Sequence, residues 1–329
     1  MKLSALLSPK MRPFVPLIAV LLVGSLQNAN GAFFEWQTQR AVLREIAVGG
    51  ILASGMTVVI IAGGIDLAVG SVLALSAVTL AWLTLLHAVS GWLAVPAVLL
   101  LGALTGLVSG ALIAWPRLQP FIVTLGTMVF ARGLAKRISG GEKISTYVPQ
   151  ADGHFRSVPL PTLFEAVDGR VFGGNLSVVT LVFVACVLVT FVVLRRLRIG
   201  RYLYAVGGNF EAARLSGVPV RFTLMFAYVL CGTLAAVAGI CQAAQETHGD
   251  PETGLGYELD AIAMVVLGGT SLSGGRGGVW LTLIGALTLG YLQKVLSLNA
   301  YSSELRLMLT GTILILAVLF QRRLGRESL

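Results

Sequence analysis

Asp66 is the residue whose type and setting point most directly to chemistry. It lies in VVIIAGGIDLAVGSVLAL, Val58–Leu75, with Gly63-Gly64 before it, Gly70-Ser71 after it and apolar runs on both flanks. A lone carboxylate in such a place has no partner acid or nucleophile. Its chemistry is that of a hydrogen-bond acceptor held at a break in a helix. Glycine pairs interrupt helices, and the backbone groups they free are tolerated inside a bilayer only where protein or a water-filled cavity satisfies them. An ionisable residue at a broken helix is a candidate for a transport pathway, which makes Gly63, Gly64, Asp66, Gly70 and Ser71 candidate pathway residues. Asp66 is equally suited to cap the following helix, accepting from the N–H of Val69, and the two roles are compatible.

A second stretch, MVVLGGTSLSGGRGGVWLTLIGAL (Met264–Leu287), repeats the order apolar run, Gly-Gly, polar turn, small residues, apolar run. Gly268, Gly269 and Thr270 are therefore further pathway candidates. The echo hints at internal duplication, although two turns on one side of the membrane do not fit a simple inverted five-plus-five repeat. Leu272-Ser273-Gly274-Gly275 resembles the start of an ABC ATPase signature, but no Gly-Lys dipeptide occurs anywhere, so the chain has no phosphate-cradling loop. The four residues read as a helix-breaking turn. Cys186, Cys231 and Cys241 lie inside apolar segments without metal-ligand spacing, and His87, His154 and His248 are scattered. No catalytic residue, metal site or cofactor is expected.

The most distinctive polar stretch is Arg195–Arg221, RRLRIGRYLYAVGGNFEAARLSGVPVR, with six arginines against one acid, Glu211. A glycine turn at Gly207-Gly208, a short Ala-rich helix from Asn209, and a stop at Gly217 and Pro219 are predicted. A basic loop of this kind faces the cytoplasm, where a small rigid helix is a handle for a cytosolic partner; a plain positive-inside loop fits the composition equally well.

These features must be positioned by membrane helices. Of 329 residues, 56% are hydrophobic and only 12% charged, about half the charged fraction of a soluble domain. The fold expected is an all-α polytopic integral membrane protein, 1–329 as a single transmembrane domain. About ten spans are read at 14–26, 41–62, 65–89, 91–114, 120–137, 175–194, 222–244, 259–274, 277–296 and 303–320. The first could be a signal-peptide core, but no clear small-residue cleavage site follows, and a retained span is preferred. With both termini inside, the cytoplasmic side carries Lys2, Lys10, Arg12, Arg117, the six arginines of 195–221, Arg276, Arg322, Arg323 and Arg326 against Asp66, Glu211 and Glu327. That bias accounts for the net charge of +9 better than nucleic-acid binding does. Residues 138–174 and 245–258 become periplasmic loops, either docking surfaces or solvated connectors.

Four blocks in order carry a resemblance: GGIDLAVGS (Gly63–Ser71), QPFIVTLGTMVFARGLA (Gln119–Ala135), GRYLYAVGGNFEAARLSGV (Gly200–Val218) and GYELDAIAMVVLGGTSLSGGRG (Gly256–Gly277). They resemble the ribose-type permeases of bacterial ABC monosaccharide importers, and the similarity runs from about residue 40 to 320. The resemblance implies a multi-pass inner-membrane subunit without its own ATPase. It implies a second permease copy or paralogue, a cytosolic ABC ATPase and a periplasmic sugar-binding protein. It implies that Gly207, Gly208, Asn209, Glu211, Ala212, Ala213, Arg214 and Gly217 form the segment that seats on the ATPase. Two departures bear on sugar preference: Ala68 replaces a serine usual in the family, and Gln245 stands near a position where arginine is common. The competing reading is an ion-coupled secondary transporter of small polar solutes, for which a single buried acid is meagre equipment. A membrane enzyme lacks a nucleophile or metal site, and a scaffold would not need Asp66.

Overall fold

The computed structural model describes residues 11, 13–27, 29–149, 154–312 and 315. Helices α1 (Phe14–Gln27), α2 (Trp36–Ile61), α3 (Val69–Ala81), α4 (Gly91–Ala114) and α5 (Pro120–Ser139) form the first half. The second half holds α7 (Val178–Arg195), α8 (Arg198–Gly208), α9 (Phe210–Leu215), α10 (Val220–Glu246), α11 (Tyr257–Leu267) and α12 (Val279–Leu298), with a helical stretch at 303–312. Among the described residues, α2, α3 with its continuation to Leu86, α4, α7, α10 and α12 are long and apolar enough to cross a bilayer. Lys2, Lys10, Arg12, Arg322, Arg323, Arg326, Glu327 and, of the span read at 303–320, residues 313, 314 and 316–320 lie outside the described residues.

The helical class holds, with small departures in the loop 138–174. That loop carries two antiparallel hairpins, β1 (Tyr147–Pro149) with β2 (Phe155–Ser157) and β3 (Arg170–Val171) with β4 (Leu176–Ser177), around the short α6 (Thr162–Asp168). Two span boundaries also differ from the sequence reading. The segment 259–274 is helical only to Leu267, because Gly268-Gly269 closes the helix and the rest forms a turn. The segment 65–89 becomes helical only at Val69, and its last turn, Trp82–Leu86, widens to a π-helix.

Helices α2, α3 and α10 form the buried centre, and α10 packs along α4, α3 and α2. Large apolar residues of α4, α5 and α7, such as Leu100, Phe130 and Leu188, point outward, as a lipid-facing surface requires. Between the inner helices the contacts are made by small residues. Gly102, Gly106 and Gly110 repeat every fourth residue on α4, and a Cβ on Gly106 would overlap the Tyr228 carbonyl of α10. Small residues at this spacing bring two backbones close enough for extensive van der Waals contact, a main source of helix association in lipid. A hydroxyl bridge adds to the packing, with Thr57 of α2 and Thr282 of α12 2.6 Å apart.

Candidate functional site

Both glycine pairs end their helices in the same way. At the end of α2, the Gly63 N–H donates to Ile60 O and the Gly64 N–H to Val59 O, each at 2.9 Å, with Gly63 left-handed at φ +84°. At the end of α11, the Gly269 N–H donates to Val266 O at 2.8 Å and the Thr270 N–H to Val265 O at 3.2 Å, with Gly269 at φ +93°. This paired pattern is the Schellman stop, in which a left-handed residue lets the chain turn back on the last carbonyls. The echo between the two sequence stretches therefore corresponds to one local geometry used twice.

The two turns lie at the same end of the molecule and meet the arginine loop there. The Gly275 N–H donates to Ile61 O at 2.9 Å. Gly207, at the end of α8, packs into this junction so closely that a Cβ would overlap Ile61 O and lie 2.8 Å from Gly275 N. Gly274 and Gly275 in turn rest on Gly207 and Gly208, and Gly274 on Gly63. The Tyr204 hydroxyl donates to Gly277 O at 2.9 Å, and Thr270 Oγ1 accepts from the Gly278 N–H at 3.3 Å. Three chain segments far apart in sequence thus share one backbone-to-backbone contact.

The short helix α9 leads away from this junction. Asn209 caps it, its side chain accepting from the Ala212 N–H at 2.9 Å. Glu211 and Arg214 pair across one turn at 2.8 Å, both exposed. Gly217, at φ +77°, stops it with a third Schellman turn through Val218 N–H to Ala213 O. Ala213 is buried, whereas Leu215 is 78% exposed. The Arg117 guanidinium lies 5.8 Å over the Phe210 ring, tying the α4–α5 connection to the same surface. The sequence reading missed α8, whose last two residues are the Gly207-Gly208 pair expected to form a turn; the chain leaves the helix only at Asn209. Its signal was present, because Gly200, Leu203 and Val206 recur at three-residue spacing and form its buried face, while Arg198 and Arg201 lie at its polar start.

Asp66 is buried, with 4% of its surface exposed. Its Oδ1 accepts from the Ala68 N–H at 2.9 Å, not from Val69, because α3 takes Ala68 as its N-cap. The bond spans two residues and closes an Asx-type turn that starts the helix. The gap between Asp66, Thr105, Ser109 and Thr127 is too narrow to admit water. Tyr228 and Thr124 hydroxyls approach Ile65 O at 3.5 and 3.4 Å, so the neighbouring carbonyl is also held. Of the pathway candidates, Gly63 and Gly64 line a cleft of about 200 Å³ with Arg117, Phe210 and Tyr228, whereas Asp66, Gly70 and Ser71 lie deeper in protein.

Residues 247–256 form no loose connector. Gly249 packs on Ala77 and Ala81 of α3, and Gly254 packs on Gly70, so this segment follows α3 back toward its start. Arg132 of α5 donates to Pro251 O and, at 2.7 Å, to Thr253 O. Lys136 pairs with Glu252 and Lys143 with Asp250, and Ile144 bridges Gly249 in both directions. Burial works to raise the Asp250 carboxyl, but the Glu252 N–H and the Lys143 ammonium outweigh it and hold it below the usual carboxylate range.

Comparison with known proteins gives this arrangement a context. The family described as the permease component of the branched-chain amino acid transport system matches residues 40–318. The ribose import permease protein RbsC of Escherichia coli (strain K12) is 39% identical over 93% of this chain and 92% of its own length. The protein of that name from Bacillus subtilis (strain 168) is 38% identical over 95% of this chain and 93% of its own. The fructose import permease protein FruG of Bifidobacterium longum (strain NCC 2705) is 36% identical over 98% of this chain and 92% of its own. No solved structure matches. The chain therefore belongs to this family of multi-pass membrane permeases, within its ribose-type ABC branch.

Proposed function

We propose that this chain is the membrane-spanning subunit of an ABC importer that carries a monosaccharide across the bacterial inner membrane. About ten helices would cross the bilayer with both termini in the cytoplasm. A second permease copy or paralogue would complete the path, a cytosolic ATPase would bind below, and a periplasmic sugar-binding protein would deliver cargo above. The relatives named for ribose and fructose import support a sugar as cargo, as does one named for D-allose transport, AlsC of Escherichia coli (strain K12).

The observation that carries the reading is the junction of Gly207, Ile61 and Gly275. The chain has no nucleotide-binding loop, so work must arrive from another subunit. Helix α9 presents Glu211, Arg214 and Leu215 to solvent and joins directly to that junction. A push on α9 would pass through Gly207 to the ends of α2 and α11 without flexible side chains between them. The breaks at Gly63-Gly64 and Gly268-Gly269-Thr270 are where those helices can pivot, with Asp66, Gly70 and Ser71 holding the start of α3 beside the path.

The test is reconstitution of the permease in liposomes with its ATPase and binding protein. ATP-driven uptake of D-ribose, D-fructose or D-allose is expected, with none from an ion gradient alone. Uptake driven by a proton or sodium gradient without ATPase would establish the secondary-transporter reading instead.

A further inference from the structure

We infer that a polar pocket at the end of the bundle opposite α9 is a sugar-contacting site, an inference that rests on the import reading above. The pocket, about 240 Å³, opens between α2, α10, α11 and α12 and is lined by Glu45, Gln242, Gln245, Tyr257, Asp260 and Gln293. None of these residues belongs to the glycine junction. Glu45 lies in the first half of α2, Gln242 and Gln245 at the end of α10, Tyr257 and Asp260 at the start of α11, and Gln293 in the last part of α12. Ile61 ends α2 at the junction, and α10 begins beside α9, so the pocket lies at the far end of the same helices.

The lining suits a neutral polyhydroxylated ligand. Glutamine amides both donate and accept, carboxylates accept from hydroxyl groups, and the set brings three amides and two acids to one space. Ile46, Val48 and Met264 add apolar surface to the same lining. A sugar ring offers the matching halves, C–H faces and hydroxyl edges. The volume falls below the roughly 300–1,000 Å³ of pockets for drug-sized ligands, which suits a monosaccharide. The family's description also raises a branched-chain amino acid, whose carboxylate would require a free cation. Among the described residues, no lysine or arginine lines this pocket; the nearby Lys294 ammonium is bound to Glu45 at 2.8 Å and the Arg44 guanidinium to Asp168, and Arg170 lines only the adjoining cavity. Gln242 is only 8% exposed and is oriented by its bond to Glu246 at 2.7 Å, leaving a preset polar wall. A second cavity of about 230 Å³, lined by Arg44, Arg170, Glu45 and Gln245, adjoins the first through the two shared residues. Together they make a polar route from the surface of the β3 hairpin into the bundle.

The experiment uses the reconstituted importer and a Gln245→Cys variant. The native thiols at Cys186, Cys231 and Cys241 are buried, so a polar methanethiosulfonate reagent reports the introduced cysteine. The expected result is slower labelling in the presence of whichever of D-ribose, D-fructose or D-allose the wild type imports, and no slowing by L-leucine. Asp260→Asn should raise the KM for that sugar roughly fivefold to tenfold while ATP hydrolysis by the assembled complex persists. Labelling insensitive to the imported sugar, or protection by L-leucine instead, would overturn the pocket assignment while leaving the importer reading intact. Failure of the wild type to import any sugar would overturn both.

Discussion

The Gly275 N–H donates to the carbonyl of Ile61 at 2.9 Å, a bond between the turn after α11 and the last turn of α2. The Ile61 carbonyl belongs to a helix end, where the last four carbonyls have no partner within the helix. Gly275 supplies one from the other half of the chain. Gly207 closes over the same carbonyl, so the loop expected to meet the ATPase touches the point where two broken helices are fastened together. Backbone contacts of this kind have little slack, because no rotatable side chain lies between the segments.

Gly207→Val tests that contact. The added side chain has no room against Ile61 O and Gly275 N, and overpacking of a close contact costs roughly 1–3 kcal/mol. The variant should insert in the membrane but hydrolyse ATP without matching sugar uptake, or assemble poorly with the ATPase. Gly208→Ala, where a Cβ meets open space, should remain near wild type. Equal uptake by wild type and Gly207→Val would remove the junction from the mechanism.

Glu211→Arg addresses the exposed face of α9. The Glu211–Arg214 pair is solvent-exposed, and such pairs contribute about 0–1 kcal/mol, so the fold should tolerate its loss. Charge reversal should still weaken association with the ATPase, read by co-purification, by at least severalfold. Unchanged co-purification and uptake would show that α9 is only a connector.

What was legible in the sequence was local. Gly63-Gly64, the helix start at Asn209 and the stop Gly217 were readable because glycine and asparagine act on their own backbone within a few residues, whereas the span read at 259–274 ran past the stop at Gly268-Gly269. The partner of Asp66 was misread by one residue, since the start of α3 depends on its packing rather than on the acid alone. Long-range pairings left no local signal. Nothing near Gly70 announces Gly254, and nothing near Glu45 announces Asp260 or Gln293. Helix α8 was hidden differently: its arginines drew attention to charge, while its buried positions Gly200, Leu203 and Val206 carried the period.

Asp66→Asn and Asp66→Ala separate charge from turn geometry. Asparagine keeps an oxygen for the Ala68 N–H and should retain most stability and uptake. Alanine leaves that donor without its partner, at a cost of roughly 1–3 kcal/mol, and should lower both. Thermal unfolding in detergent and uptake in liposomes measure the two effects. Strong loss of uptake in Asp66→Asn at unchanged stability would instead assign the negative charge to the path.

The clamp on residues 247–256 should depend on pH. The Asp250 carboxyl is held below its usual range despite burial, so its contribution is present above the unfolded value, about 3.9, and fades as pH falls through the folded value. The Asp250 hydrogen bond raises the Lys143 ammonium, so that contribution is present below about 10.4 and fades as pH rises through the folded value. Protection from hydrogen exchange at 249–253, taken relative to the intrinsic rate at each pH, should therefore fall below about pH 4 in the wild type. Lys143→Met should give faster exchange already at neutral pH, and an unaltered profile would show that Arg132, Lys136 and the Ile144–Gly249 bridge hold the loop without it.

Gly106→Leu tests whether the α4–α10 contact sustains the bundle. The glycine lies against the Tyr228 carbonyl and Val229, with no space for a side chain. In lipid, a helix gains nothing from hiding apolar surface, so close backbone packing carries association that burial supplies in water. Leucine would separate the helices and should destabilise the protein by at least ~1–3 kcal/mol, lowering its melting temperature in detergent. Leu104, nearby on the same helix but turned outward, provides the control: Leu104→Ala should leave the melting temperature nearly unchanged. If both substitutions have the same small effect, the glycine stripe is incidental. The centre of the fold would then rest on α2, α3 and α10 without the support of α4.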